Sequence, residues 1–165
     1  MFAYSIARKT ILLPVILSLL SIAALAQRVE LYGGAQYMHL EPAFNGVGWE
    51  GALTGNFKHV LGITADFSGS YARHNLQAYT YMAGPVLTAR LPVVQPFVHA
   101  LFGGLTLKDS TSDTNFAFML GGGIDLGFRK GIGFRLAQVD WLSAHFNGNT
   151  FNKNVRASAG IVIKF

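Results

Sequence analysis

The sequence predicts an all-β fold: an eight-stranded antiparallel up-and-down transmembrane β-barrel behind a signal peptide. Three observations predict it. The segment Ser158–Phe165 alternates, with Ile161, Ile163 and Phe165 on one side and Gly160, Val162 and Lys164 on the other, and its closing aromatic suits the interfacial girdle of a membrane barrel. Hydrophobic residues make up 51% of the chain. Yet after Ala26 they never form the run of about 18 that a membrane helix needs. Charged residues are only 13%, roughly half the share of an ordinary soluble domain and little for a wholly wet surface.

The N-terminus has the three parts of a secretory signal. Arg8 and Lys9 form a positive start, Ile11 to Leu20 an apolar run, and Ala24-Leu25-Ala26 a small-x-small cleavage site. Residues 1–26 are therefore expected to be removed, leaving one barrel domain over 27–165 that starts at Gln27. There is no Cys, so an exported chain carries neither a disulfide nor a lipid-attachment thiol. The net charge is +5, two units of which leave with Arg8 and Lys9. The remaining basic residues are scattered, so no nucleic-acid partner is expected.

Eight segments read as strands, near 28–39, 47–57, 59–71, 76–90, 95–107, 114–128, 131–142 and 154–165. Each has room for the roughly 9–11 residues of a tilted membrane strand. The connections 40–46, 108–113 and 143–153 are long or polar, and 72–75 is intermediate. Those near Lys58, Pro92 and Arg129-Lys130 are short. Such alternation predicts long external loops and tight periplasmic turns, with both termini periplasmic.

Period-two patterning assigns the faces. In the second segment Trp49, Leu53 and Phe57 oppose Glu50, Thr54 and Asn56. In the third, Leu61, Ile63, Ala65, Phe67 and Tyr71 oppose Thr64, Asp66, Ser68 and Ser70. In the sixth, Phe116, Phe118, Leu120, Ile124 and Leu126 oppose Asp125 and small residues. In the eighth, Val155, Ala157, Ala159, Ile161, Ile163 and Phe165 oppose Arg156, Ser158, Gly160, Val162 and Lys164. The apolar faces are expected to meet lipid and the polar ones to line the lumen. In the seventh segment Arg135 and Asp140 fall on opposite faces, which calls for a bulge near Gln138 or an interfacial Asp140. Threading the strands gives two ionic clusters that plug the lumen. Glu30, Asp125, Arg135 and Lys164 lie toward the periplasmic end, and Glu50, Asp66 and Arg156 nearer the outside. Enclosed charges must be paired or hydrated.

With Ser158, Gly160, Ile163 and Phe165 in place, the chain resembles the eight-stranded outer-membrane β-barrel family, the OmpA/OmpX-like group, over 27–165. Tyr32-Gly33-Gly34 and Gly121-Gly122-Gly123-Ile124-Asp125 are lesser echoes. The resemblance implies a bacterial outer-membrane location among lipid and lipopolysaccharide, and transit past periplasmic chaperones. It also implies that those four residues form the signal read by the barrel assembly machinery. The chain ends at Phe165, so the peptidoglycan-binding domain of OmpA-type proteins is not expected.

Other motifs weigh little. Gly46-Val47-Gly48-Trp49-Glu50-Gly51 matches a dinucleotide fingerprint with Asp66 downstream, but a strand follows it instead of a helix. Gly121-Gly122-Gly123 lacks the Lys-Ser/Thr of a phosphate loop. His39, His59, His74, His99 and His145 show no metal-ligand spacing, and His99 alone sits mid-strand, where it can face the lumen. No catalytic residue, cofactor or metal is expected. The rival functional classes are a lipid A deacylase-like enzyme and an adhesin. The first needs His-x-Ser; this chain has only Ser143-Ala144-His145, with Asp140 nearby. The second would act through the 143–153 loop, with Phe146 and Phe151. The expectation is a non-enzymatic envelope protein whose lumen is filled by side chains.

Overall fold

In a computed structural model, the described residues are 28–42, 44–57, 60–73, 76–108, 112–129, 131–146 and 149–165. They form eight strands: β1 Arg28–Leu40, β2 Phe44–Asn56, β3 Leu61–Tyr71, β4 Gln77–Thr88, β5 Val94–Lys108, β6 Ser112–Arg129, β7 Ile132–Phe146 and β8 Asn149–Lys164. Every neighbouring pair is antiparallel, and β8 closes on β1, with Leu31 opposite Ile163 and Gly34 opposite Gly160. Closure leaves no edge, which a strand structure in lipid requires. The expected fold is the observed one. The signal peptide, His59 and His74 lie outside the described residues.

The wall follows the period-two pattern. Leu31, Trp49, Leu53, Ile63, Phe67, Leu87, Val98, Phe102, Leu120, Phe134, Val139 and Ile161 are all exposed on its outer face. An apolar exterior of this extent is a lipid-facing surface. Two outward glycines are covered by neighbouring rings: Trp49 and Tyr79 lie over Gly69, and Tyr81 lies over Gly104. Pro85 has no N–H to give the ladder. The β4–β5 register accordingly skips from Ala83–Phe102 to Val86–His99. Outside this break runs a groove of about 360 Å³ lined by Leu61, Pro85, Leu87, Val98, Ala100 and Leu120.

Two expectations are corrected. The connections at the two ends do not alternate between long and short, because the polar segments are mostly strand. Thr106 and Thr114 hydrogen-bond across β5–β6 at 2.8 Å, and Lys108 already pairs with Ser112. The expected 143–153 loop is the end of β7 and the start of β8, with Ala144 opposite Phe151 and Phe146 opposite Asn149. Serine, threonine and asparagine read as loop, yet they pair well where a hairpin rises clear of the apolar belt.

The second correction concerns the lumen. Its charged network lies in the half nearer Arg28 and Lys164, the proximal half. In the distal half, inward residues form an apolar layer: Met38, Leu40, Phe44, Met82, Leu101, Leu105, Met119 and Leu142, with Ala78, Ala117 and Ala144. Here the strands are apolar on both faces, as Leu101-Phe102 and Met119-Leu120 show. Alternation alone therefore could not label the inner side.

Candidate functional site

The polar half of the lumen is built rung by rung from inward residues. At the proximal mouth, Glu30 Oε1 receives Asn56 Nδ2 at 3.0 Å, Arg90 Nη2 at 3.2 Å and Lys164 Nζ at 3.2 Å. Lys164 also hydrogen-bonds Gln95. One layer up, Arg135 donates Nε to Asp125 Oδ1 at 2.8 Å and Nη2 to Oδ2 at 3.2 Å. Its guanidinium lies between the rings of Tyr32 and Phe97, 4.2 and 4.1 Å from their centroids. That sandwich shields the cation while its edge stays paired.

At mid-height Arg156, fully buried, is the hub. Its Nη1 donates to Asp66 Oδ1 at 2.7 Å and its Nη2 to Asp66 Oδ2 at 3.1 Å. Its Nε and Nη2 both reach Asp140 Oδ2, at 2.8 and 2.7 Å. Glu50 Oε1 stands 3.5 Å from Nη2. Gln138 donates Nε2 to Glu50 Oε1 at 2.9 Å and to Asp140 Oδ2 at 2.8 Å, and accepts from Arg135 Nη1 at 2.6 Å. Gln138 thus fuses the Asp125–Arg135 layer with the Arg156 layer. Around them, Gln36 donates to Ser70 at 2.8 Å, Thr54 to Thr64 at 2.9 Å, and Ser68 and Thr80 meet at 2.6 Å. The lumen cavity bordered by Glu30, Asp66, His99, Asp125 and Arg135 is about 10 Å³, room for about one water.

All seven charged residues singled out in the sequence lie inside. Glu30 and Lys164 meet each other, Asp125 and Arg135 meet each other, and Glu50, Asp66 and Arg156 meet at the hub. The hub lies at mid-height, below the apolar layer. Sequence reading expected a bulge near Gln138 but left Asp140 out of the clusters, and it missed His99's bond to Asp140 and Arg90. The bulge is there: β8 advances from Gly160 to Ser158 while β7 advances from Arg135 to Gln138. The extra residue lies at Leu136–Ala137, just before the expected Gln138, and returns both Arg135 and Asp140 to the lumen. Arg90 lies beyond the end of β4.

The four residues of the C-terminal motif divide between the faces. Ser158 is buried inside, and Gly160 faces Gly34 at the seam. Ile163 lies on the outer face, and Phe165 is 75% exposed, its N–H bonded to Val29 O at 2.9 Å. Asp140 points into the lumen, so it is not brought to Ser143; the side chain of His145 lies outside the described residues. Among the described residues no group of His, Asp and Glu is arranged to hold a metal.

No protein-family model matches the chain, and no curated protein matches it. Solved structures do. Neisserial surface protein A aligns with a TM-score of 0.63 at 11% identity, over 84% of this chain and 96% of that one. The N-terminal barrel of Pseudomonas aeruginosa OprF gives 0.60 at 10% identity, over 85% and 98%. Pseudomonas aeruginosa OprG gives 0.53 at 13% identity, over 85% and 96%. At these identities the likeness is one of fold. Together with the lipid-facing wall it makes the chain a membrane-spanning barrel. The chain has the eight-stranded barrel fold of the OmpA/OmpX-like outer-membrane proteins.

Proposed function

We propose that this protein is a non-conducting, non-enzymatic barrel that serves the outer membrane as a structural and surface-contact element. The distal hairpin ends face outward and the proximal mouth faces the periplasm. The observation that carries this reading is the doubly closed lumen. An ionic and hydrogen-bonded network fills the proximal half, and a methionine- and leucine-rich layer fills the distal half. A wire of water past both layers has no continuous polar path, and an apolar constriction resists wetting. Lipid and lipopolysaccharide surround the wall, and the distal rim carries exposed Lys108 and Lys153 toward the headgroup level. On the way there, periplasmic chaperones hold the unfolded chain, and the assembly machinery reads β8 through Ser158, Gly160, Ile163 and Phe165.

The test is single-channel recording of the purified barrel in planar bilayers. The expected result is no conductance steps, with heat-modifiable gel mobility confirming a folded barrel. Regular ion conductance from folded wild-type protein would overturn the proposal.

A further inference from the structure

The groove beside Pro85, about 360 Å³, is a hollow in the lipid-facing wall. A row of short side chains makes it. Ala83 pairs with Phe102 and Val86 with His99, so Pro85 comes level with Ala100, and Ala100 pairs with Leu120. Pro85 and Ala100 reach little way from the wall, while Leu61, Leu87, Val98 and Leu120 stand exposed around them. His99 and Gly121 border the groove from beneath, and the His99 ring is turned to Asp140 in the lumen. The next outward residues on the distal side are Phe102 and Phe118, with ring centroids 5.0 Å apart, and Trp141 packs edge-on to Phe118 at 6.5 Å. This ridge bounds the distal end. Toward the proximal mouth the outward positions are Ala89 and Pro96, which raise no such ridge.

The groove is continuous with a surface that faces hydrocarbon, so its occupant is apolar. Left empty, its lining would forfeit the dispersion contacts of one side. Over Gly69 and Gly104 the chain supplies its own cover, the rings of Trp49, Tyr79 and Tyr81. The residues lining this groove include no Phe, Tyr or Trp. Its volume lies in the range of small-molecule sites, roughly 300–1,000 Å³. Shape decides among apolar occupants. A second barrel presents a convex wall and would ride on Leu87, Val98 and Leu120 without touching Ala100. A membrane helix, about 10–12 Å across with its side chains, would be held off in the same way. A single acyl chain is slender enough to lie on Pro85 and Ala100.

We propose that this groove seats one acyl chain of a phospholipid, with the headgroup toward the proximal end and the chain terminus against the Phe102–Phe118 ridge. The seat holds one lipid in place on a wall whose other lipid neighbours exchange freely. It selects a phospholipid over lipopolysaccharide because the open end faces the periplasmic leaflet, an assignment that rests on the orientation proposed above. The site itself goes beyond the filled-lumen reading and does not depend on whether the lumen conducts.

The probe is a phospholipid with a photoreactive diazirine near the end of one acyl chain. The full-length barrel is folded into phosphatidylethanolamine–phosphatidylglycerol liposomes containing a small share of it, irradiated, and mapped by peptide mass spectrometry. Labelling of Val98, Ala100 and Leu120 is expected to exceed that of Leu31 and Ile161, exposed on the opposite wall, several-fold. Ala100→Phe fills the floor and should abolish the excess, while Ala35→Phe on the opposite wall should keep it. If Ala100→Phe is not heat-modifiable, Ala100→Leu and the wild-type map decide. Moving the diazirine beside the headgroup should shift the labelling to Ala89 and Pro96. Equal labelling of both walls would mean exchanging bulk lipid only and overturn the seat. A shift to Phe102 with the headgroup probe would reverse the chain and overturn the proposal. Barrel-to-barrel cross-links through Val98→Cys that exclude the probe would make the occupant a second copy and also overturn it. A barrel that conducts yet keeps the labelling excess would sink the filled-lumen reading and leave the seat standing.

Discussion

His99 on β5 and Asp140 on β7 share a hydrogen bond of 2.8 Å although β6 runs between them. The row reads His99, Gly121, Asp140, and the middle rung has no side chain. A Cβ at Gly121 would stand 1.9 Å from Asp140 Oδ1. Alanine there must push the carboxylate off His99 or off Arg156. Gly121→Ala is expected to lower stability by about 1–3 kcal/mol, the usual range for overpacking. Gly33→Ala is the control, since its Cβ would meet nothing within 4 Å. Denaturant midpoints followed by gel mobility measure both. Equal midpoints would show that the missing rung is dispensable.

Arg156 holds Asp66 and Asp140 and stands beside Glu50, with no solvent access. Removing it leaves carboxylates uncompensated in a closed lumen. Arg156→Met should cost about 3–5 kcal/mol, the range for breaking a buried ion pair from one side. Neutralising its partners in the same chain, with Asp66→Asn and Asp140→Asn, should recover much of that loss. A triple variant no more stable than the single one would show that the arginine contributes mainly through its packing.

The C-terminal motif mixes two roles that refolding can separate. At Gly160 a Cβ would stand 2.3 Å from Gly33 O and 2.4 Å from Gly34 Cα, so the β1–β8 seam itself requires glycine. Phe165 is exposed and holds the seam only through its backbone N–H. Gly160→Ala should therefore reduce refolding yield in pure detergent, where no assembly machinery is present. Phe165→Ala should refold like wild type yet show a smaller outer-membrane fraction in cells. If Gly160→Ala refolds normally and fails only in cells, its role is recognition and the steric account is wrong.

These residues also show what a one-dimensional pattern carries. Alternation placed Glu50, Asp66 and Arg156 on inner faces because each lies in a strand with a steady period of two. At Asp140 it flagged a break in phase but left the choice between a bulge and an interfacial position open; one extra residue at Leu136–Ala137 reverses the parity beyond it and turns Asp140 inward. It was silent about the distal layer, because Leu101 and Leu142 sit beside equally apolar outward neighbours. It misread 143–153 as a loop because polar residues above an apolar belt can pair as strand or hang as loop with the same composition.

Two stacked layers close the lumen, and they should fail independently. Arg135 carries the proximal layer through Asp125, Gln138 and the rings of Tyr32 and Phe97. Arg135→Ala leaves Asp125 unpaired and should cost about 3–5 kcal/mol. It should not open a conducting path, because Met38, Leu101 and Met119 still fill the distal half with no exposure at all. Conversely, Leu101→Ser with Met119→Ser lets water into the distal half, while Arg135 and Arg156 still span the lumen below. Ion conductance is expected only when both sets are combined in a barrel that remains heat-modifiable. Single-channel recordings of the three variants decide the matter. Conductance from Arg135→Ala alone would mean that the apolar layer is no barrier, and conductance from the serine pair alone would mean that the ionic network is already permeable.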